Sequence, residues 1–224
     1  MKIGFLIFQN VTQLDFTAPF EIFARMPESE VLLISKDMNP VKSDKGLMIL
    51  PTHSLENCPQ LDLICVPGGG GINKVIEDKM SLNFLKVQAQ EAQYVTSVCT
   101  GALVLAVAGL LDGYKATTHW LSIDLLRKFR KVEVIEARVV KDRNRFTGGG
   151  VTAGIDFALT IAAEIYGENI AKEIQLMVEY NPQPPFNAGS PKLIEEEILE
   201  KVITSRKEIQ NQRLEQIETI IATK

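Results

Sequence analysis

One cysteine, one aspartate and a run of four glycines carry the chemistry open to this chain. Cys99 ends the stretch YVTSV and opens TGALVLAVAGLLDG, so it stands where a β-branched strand gives way to a helix of small and apolar residues. At a sharp strand-to-helix turn a side chain stands clear of the sheet, the device that exposes the serine of α/β-hydrolases. A helix beginning near Thr100 offers unsatisfied N–H groups and the positive end of its dipole. Both favour thiolate over thiol, and thiolate is the reactive form, so a Cys99 pKa below the ordinary ~8.5 is expected. The glycines Gly68 to Gly71 follow the apolar run LDLICVP and can turn backbone amides toward an anion, as an oxyanion hole requires. Asp15, in QNVTQLDFTAP, has two readings. It caps a helix starting near Thr17, or it faces the thiol as proton donor or acceptor.

The remaining polar candidates are weaker. Cys65 lies inside an apolar strand and reads as a packed core residue, and Cys58 sits in a polar loop beside Pro59. His119, in ATTHW, is the one reasonable base for Cys99, because His53 falls in a hairpin region; lining a pocket or capping the next helix are equally open to it. Gly148, Gly149 and Gly150 permit a left-handed turn or close backbone approach before the helix that follows Thr152. With two histidines, three cysteines and no CxxC spacing, neither a metal site nor a disulfide framework is expected.

The elements that must position these groups alternate along the chain. KIGFLIF, EVLLIS, LDLICVP, YVTSV, VEVIEARVV and RFTGGG read as strands, VKSDKGLMIL as a hairpin, and TAPFEIFARM, SLNFLKVQAQEAQ and TAGIDFALTIAAEIYG as helices. Apolar strands separated by helices argue for an α/β fold with a doubly wound, mostly parallel sheet. In such a sheet the loops at the carboxyl ends of the strands converge, and ligands bind there. Asp15, the glycine run and Cys99 each follow a strand. Residues 1–191 read as one domain that ends in the proline-rich connector EYNPQPPFNAGSP. Lys192 to Lys224 reads as one long charged helix, with Ile194, Ile198, Val202, Ile209, Ile217 and Ile220 on one stripe. It packs on its own domain or serves as an arm on a second subunit.

Composition narrows the function classes. Net charge is −4 with a pI near 5.4, and no basic run suggests nucleic acid or anionic lipid. The apolar stretch Leu103 to Leu111 is far short of the ~20 residues of a membrane span. MKIGFLIFQN reads as a first buried strand rather than a signal peptide, so a cytoplasmic protein is expected.

Taken together, Asp15, the PGGGG loop, SVCTGALVLAVAGLL, ATTHW and TGGGVTAGIDFAL resemble the ThiJ/PfpI superfamily over nearly the whole chain. Within it, QLDFTAPFEIFA, YVTSVCTG and EYNPQPPFNAGSP are most similar to the isonitrile hydratases. The resemblance implies a flavodoxin-like fold with a nucleophile elbow at Cys99, an acid partner at Asp15, and anion stabilisation by Gly69, Gly70 and the Thr100 amide. It also implies that Val151 packs near the thiol and that the protein is a homodimer. The implied activity is hydration of isonitriles to N-substituted formamides through a cysteine thioimidate, with no cofactor. PfpI-type peptidases carry His directly after the nucleophile; Thr100 stands there in this chain, which weakens a peptidase reading. A glyoxalase- or deglycase-like enzyme acting on aldehydes, or a non-enzymatic sensor oxidised at Cys99, are the alternative readings.

Overall fold

The structure is a computed structural model that describes residues 1–223. In chain order the elements are β1 (Lys2–Leu6), α1 (Gln13–Phe23), β2 (Glu30–Ser35), β3 (Val41–Lys42), β4 (Met48–Ile49), β5 (His53–Ser54), β6 (Leu63–Val66), α2 (Ile72–Val75), α3 (Lys79–Glu91), β7 (Tyr94–Val98) and α4 (Gly101–Val107). Then come β8 (Lys115–Ala116), a 3₁₀ turn (Trp120–Ser122), α5 (Ile123–Arg127), β9 (Glu133–Val134), β10 (Val139–Asp142), β11 (Arg145–Gly148), α6 (Ala153–Tyr166), α7 (Glu168–Met177) and α8 (Glu196–Ala222).

Among these residues the main sheet has seven strands in the order β10-β11-β7-β6-β1-β2-β5, parallel except for the β10–β11 pair. The central strands are apolar on both faces because helices cover both: all of β6 is buried, as are Val95 to Val98 of β7. One face packs on α1 and α6 through Phe5, Phe16, Ile22, Phe157 and Ile161. The other packs on α3, α4 and α5 through Leu85, Leu103, Val104, Leu125 and Leu126. The architecture is therefore the expected doubly wound α/β sheet. Among the described residues no helix is long and apolar enough to cross a membrane.

Three local expectations change. VEVIEARVV is not one strand: its start pairs with β8 as β9, and its end folds back on β11 as β10. Helix α1 begins at Gln13 rather than near Thr17, so Asp15 lies in the first turn and is not its cap; Thr12 holds that position. The long C-terminal helix runs Glu196–Ala222, with a turn before it, and Lys224 lies outside the described residues. Its stripe does not all reach the core. Arg213 and Ile217 are buried and Leu214 and Ile220 pack partly, whereas Ile198, Val202 and Ile203 stay exposed. The second half of α8 thus docks in cis, against α2, α5 and the 3₁₀ turn.

Candidate active site

Cys99 follows the central strand β7, whose neighbours are β6 and β11. Its backbone is left-handed, with φ 57°, a conformation that disfavours residues with a Cβ and persists only when the surroundings fix it. Three bonds do so here. The Cys99 amide donates to both Gly148 O (3.0 Å) and Gly149 O (2.9 Å), and the Thr118 hydroxyl donates to Cys99 O (2.8 Å). The elbow is therefore clamped by TGGG and ATTHW. The glycines Gly148 to Gly150 keep φ negative; what they supply is close approach. A methyl at Gly150 would lie 3.3 Å from the His119 ring. Helix α4 starts immediately after the elbow, and Gly101 lets it abut β6: a Cβ there would sit 1.9 Å from Val66 O.

The acid and the glycine loop meet the elbow from the other side. Asp15 is fully buried, and its Oδ2 accepts the Gly68 N–H at 2.8 Å. Its Oδ1 is buried with no hydrogen-bond partner, and the Cys99 thiol is close enough to the carboxyl group to act on its titration. The Gly69 N–H donates to Thr100 Oγ1 at 3.1 Å, so that amide is already engaged. Gly70 is exposed. Gly68, the first of the glycine run and not among the residues to which the resemblance gave a role, lies where acid and elbow converge. A Cβ there would fall 2.5 Å from Thr100 Oγ1, 2.6 Å from Thr100 N and 2.8 Å from Asp15 Oδ2. The loop is in turn tied to the β1–α1 segment: Thr12 N–H donates to Gly68 O, and Gly71 N–H to Asn10 O.

Electrostatics correct one expectation. Burial pushes the Cys99 thiol well above its ordinary value, and the charge of Asp15 adds to this; the Thr100 N–H and hydroxyl oppose both. The thiol of a residue only 6% exposed, beside a carboxyl group, is not ionised by the dipole of so short a helix as α4. Asp15 itself is raised to about 7, chiefly by burial and also by Asp44, with the Gly68 N–H and the thiol pulling the other way. Cys99 and Asp15 therefore form a coupled pair that loses its first proton near neutrality.

The other candidates sort as follows. Cys65 is completely buried and pushed up to about 12, so it is a core residue. Cys58 is half-buried and raised to about 11, again mainly by burial. His119 caps the 3₁₀ turn, its Nδ1 accepting the Leu121 N–H, and is held down to about 4 by burial and by the charges of Arg213 and Arg206. A neutral imidazole with that pKa is a poor base for Cys99 at neutral pH. Val151 is half-buried in the turn between β11 and α6. One group escaped sequence reading altogether. Arg213, from α8, is 3% exposed, and its Nε donates to Asn73 Oδ1 at 2.8 Å. An arginine in a charged helix carries no sequence signal that it points inward. Among the described residues no three His, Cys, Asp or Glu side chains cluster as metal ligands.

The DJ-1/PfpI family model matches residues 1–164. The chain is similar to an isonitrile hydratase of Pseudomonas putida, with 53% identity over 191 residues that cover 85% of this chain and 83% of that one. A crystal structure of a ThiJ/PfpI family protein from Pseudomonas syringae superposes with a TM-score of 0.93 at 40% identity, covering 96% of this chain and 90% of that one. The DJ-1beta structure of Drosophila melanogaster has a TM-score of 0.73 at 23% identity, covering 81% and 98%, and shares the fold.

Proposed function

The chain belongs to the DJ-1/PfpI family, and on that premise we propose that it hydrates isonitriles to N-substituted formamides, with Cys99 as nucleophile and Asp15 as its proton partner. The observation that carries this reading is the buried Cys99–Asp15 pair on a left-handed elbow, in a chain 53% identical to an isonitrile hydratase. The isonitrile group is linear and its terminal carbon is bonded to nitrogen alone, so it can reach the thiol of a residue that is only 6% exposed.

The steps balance on one shared proton. As the Cys99 sulfur bonds to the terminal carbon of R–N≡C, the proton of the pair passes through Asp15 to that carbon. The product is a thioimidate, R–N=CH–S–Cys99. Asp15, now a carboxylate, takes a proton from a water as that water adds to the thioimidate carbon. Asp15 passes that proton to the nitrogen and then takes the hydroxyl proton of the adduct as the C–S bond breaks, so R–NH–CHO leaves and the pair again holds one proton. This is covalent catalysis with a general acid–base partner.

The Thr100 N–H and hydroxyl stabilise the sulfur as it gains charge. Gly68 and Gly69 hold Asp15 and Thr100 in place, and Gly70, beside them, lines the entry. His119 and Val151 line the site without transferring protons. No cofactor takes part.

We place the enzyme in the cytoplasm as a homodimer. Its three cysteines are all free, as a reducing compartment keeps them. Leu176, Met177, Phe186 and Leu193 are 56–81% exposed and offer a second copy apolar surface to cover.

The test is product analysis with a simple alkyl isonitrile. Formamide release that disappears in Cys99→Ser supports the reading. Turnover of methylglyoxal with no formamide from any isonitrile would replace it with the aldehyde chemistry, and no turnover of either electrophile with graded oxidation of Cys99 would favour a redox sensor.

A further inference from the structure

We propose that Arg213 is the fixed counter-charge of the Cys99–Asp15 pair, a positioning residue delivered to the site by the C-terminal helix. The starting point is an electrostatic imbalance. The Arg213 guanidinium is nearly inaccessible, at 3% exposure. Its recorded partners are two neutral oxygens, Asn73 Oδ1 at 2.8 Å from Nε and Gly69 O at 3.4 Å from Nη2. Among the described residues no carboxylate lies within 4.0 Å of it. A buried charge without a counter-charge is strongly unfavourable.

The missing negative charge stands two hydrogen bonds away. Gly69, whose carbonyl accepts from Arg213, donates its amide to Thr100 Oγ1, and Thr100 directly follows Cys99. The geometry thus runs from guanidinium to glycine loop to elbow. The same loop, at Gly68, binds the carboxyl group of Asp15. When the pair loses its first proton, one negative charge is buried on Cys99 and Asp15, facing one buried cation.

The surrounding groups do not fill this role. His119 faces the same space and is kept neutral down to about 4. Arg206, also on α8, is exposed. Asp44, reached through Thr12, carries the wrong sign. Cys65 is a buried thiol. Arg213 alone among these is both charged and buried, and burial lowers it only to about 10, opposed by the negative charge of Cys99. Its mount is rigid: Asn73 fixes the guanidinium, Ile217 one turn later is fully buried, and Ile209 one turn earlier reaches the glycine loop at Gly70.

The proposal builds on the reading of Cys99 and Asp15 as the reacting pair, yet not on which electrophile they meet. Its test therefore uses iodoacetamide on the full-length protein. The rate of Cys99 carbamidomethylation is followed by peptide mass spectrometry from acid to alkaline pH. In Arg213→Gln the midpoint of that profile should rise by about one unit or more, the scale of a lost neighbouring charge. Arg213→Lys should keep a midpoint near wild type. Asn73→Asp keeps Arg213 but gives it a competing carboxylate, so it should also raise the midpoint, and it serves if Arg213→Gln fails to fold. A midpoint unmoved in folded Arg213→Gln or Asn73→Asp, with only the melting temperature altered, overturns the proposal and leaves Arg213 as a docking residue. An unmoved midpoint with turnover lost only for isonitriles that carry a carboxylate overturns it in favour of a substrate clamp. Failure of isonitrile turnover with the midpoint shifted as expected would discard the substrate and leave the counter-charge standing.

Discussion

Replacing Asp15 by Asn separates the acid's two effects, on rate and on stability. Asn keeps the size of the side chain and an Oδ that can accept the Gly68 N–H, so the fold is retained. It cannot pass a proton. Turnover should fall at least ~10²-fold, the lower range for general acid–base catalysis. Stability should move the other way, and the sign follows from the pKa. Asp15 titrates at 3.8 in the unfolded chain and about 7 in the folded one, so the native state holds the proton to higher pH. The contribution is fully present below 3.8 and is lost as pH rises through about 7. A shift of about three units at ~1.4 kcal/mol each amounts to about 4 kcal/mol. Asp15→Asn should therefore match wild type in acid and exceed it by up to about 4 kcal/mol above neutrality, or roughly 8–16 °C in melting temperature for a chain of this size. Wild-type turnover should rise as pH passes about 7, where the pair loses its first proton, and fall again at alkaline pH when the second leaves. Thermal melts and turnover on the same two proteins across pH decide it. A folded Asp15→Asn with near wild-type turnover refutes the mechanism, and a stability difference that ignores pH refutes the buried-acid assignment.

Cys99→Ser should melt close to wild type, release no formamide and trap no thioimidate by intact mass, since a hydroxyl at this elbow is far less readily ionised. Alkylation of the native protein should spare Cys65, which is 0% exposed; labelling of Cys65 before Cys99 would contradict the packing. Gly68→Ala should lose turnover, because the added methyl meets the Thr100 amide at 2.6 Å and Asp15 Oδ2 at 2.8 Å. Gly70→Ala, with only Ile209 at 3.8 Å, is the matched control that should fold normally. Light scattering should give about twice the 24.9 kDa of one chain, and a mass of one chain at micromolar concentration would refute the dimer.

The parts of this fold that sequence revealed were those with one dominant local cause. YVTSV followed by CTGALVLAV reads as strand and helix because β-branched and small apolar residues separate sharply, and the structure places Cys99 at that seam. The hairpin Val41–Ile49 likewise follows from Asp44, Lys45 and Gly46 at its turn. What failed were quantities set by distant neighbours. The dipole of α4 argued for a thiolate, but burial and Asp15, 84 positions away in sequence, outweigh it. Of the two readings open for Asp15 the cap, which DFTAP fits, fails; its backbone partner, Gly68, is brought near only by the pairing of β1 with β6. The glycine run announced itself, yet which amide met which oxygen depended on Thr12, Asn10 and Thr100 together. Arg213 was invisible, since a lone inward residue in a helix rich in Glu, Lys and Arg leaves the charge pattern unchanged.

The docking of α8 also bears on how the protein comes into being. The groups of the site are spread along the polypeptide, from Asp15 through Gly68 and Cys99 to Arg213, and each is joined to the others only by contacts between remote segments. Such topologies close large loops before they gain from doing so, and they fold slowly for that reason. The sheet can order around β1, β6 and β7 while residues after Met177 are still unattached, because its two packed faces draw almost wholly on earlier segments, with Ile217 a late addition. In such an order the elbow would form before Arg213 reaches the glycine loop. If folding follows that order, the docking of α8 would be the step that completes the reactive centre on a scaffold already built.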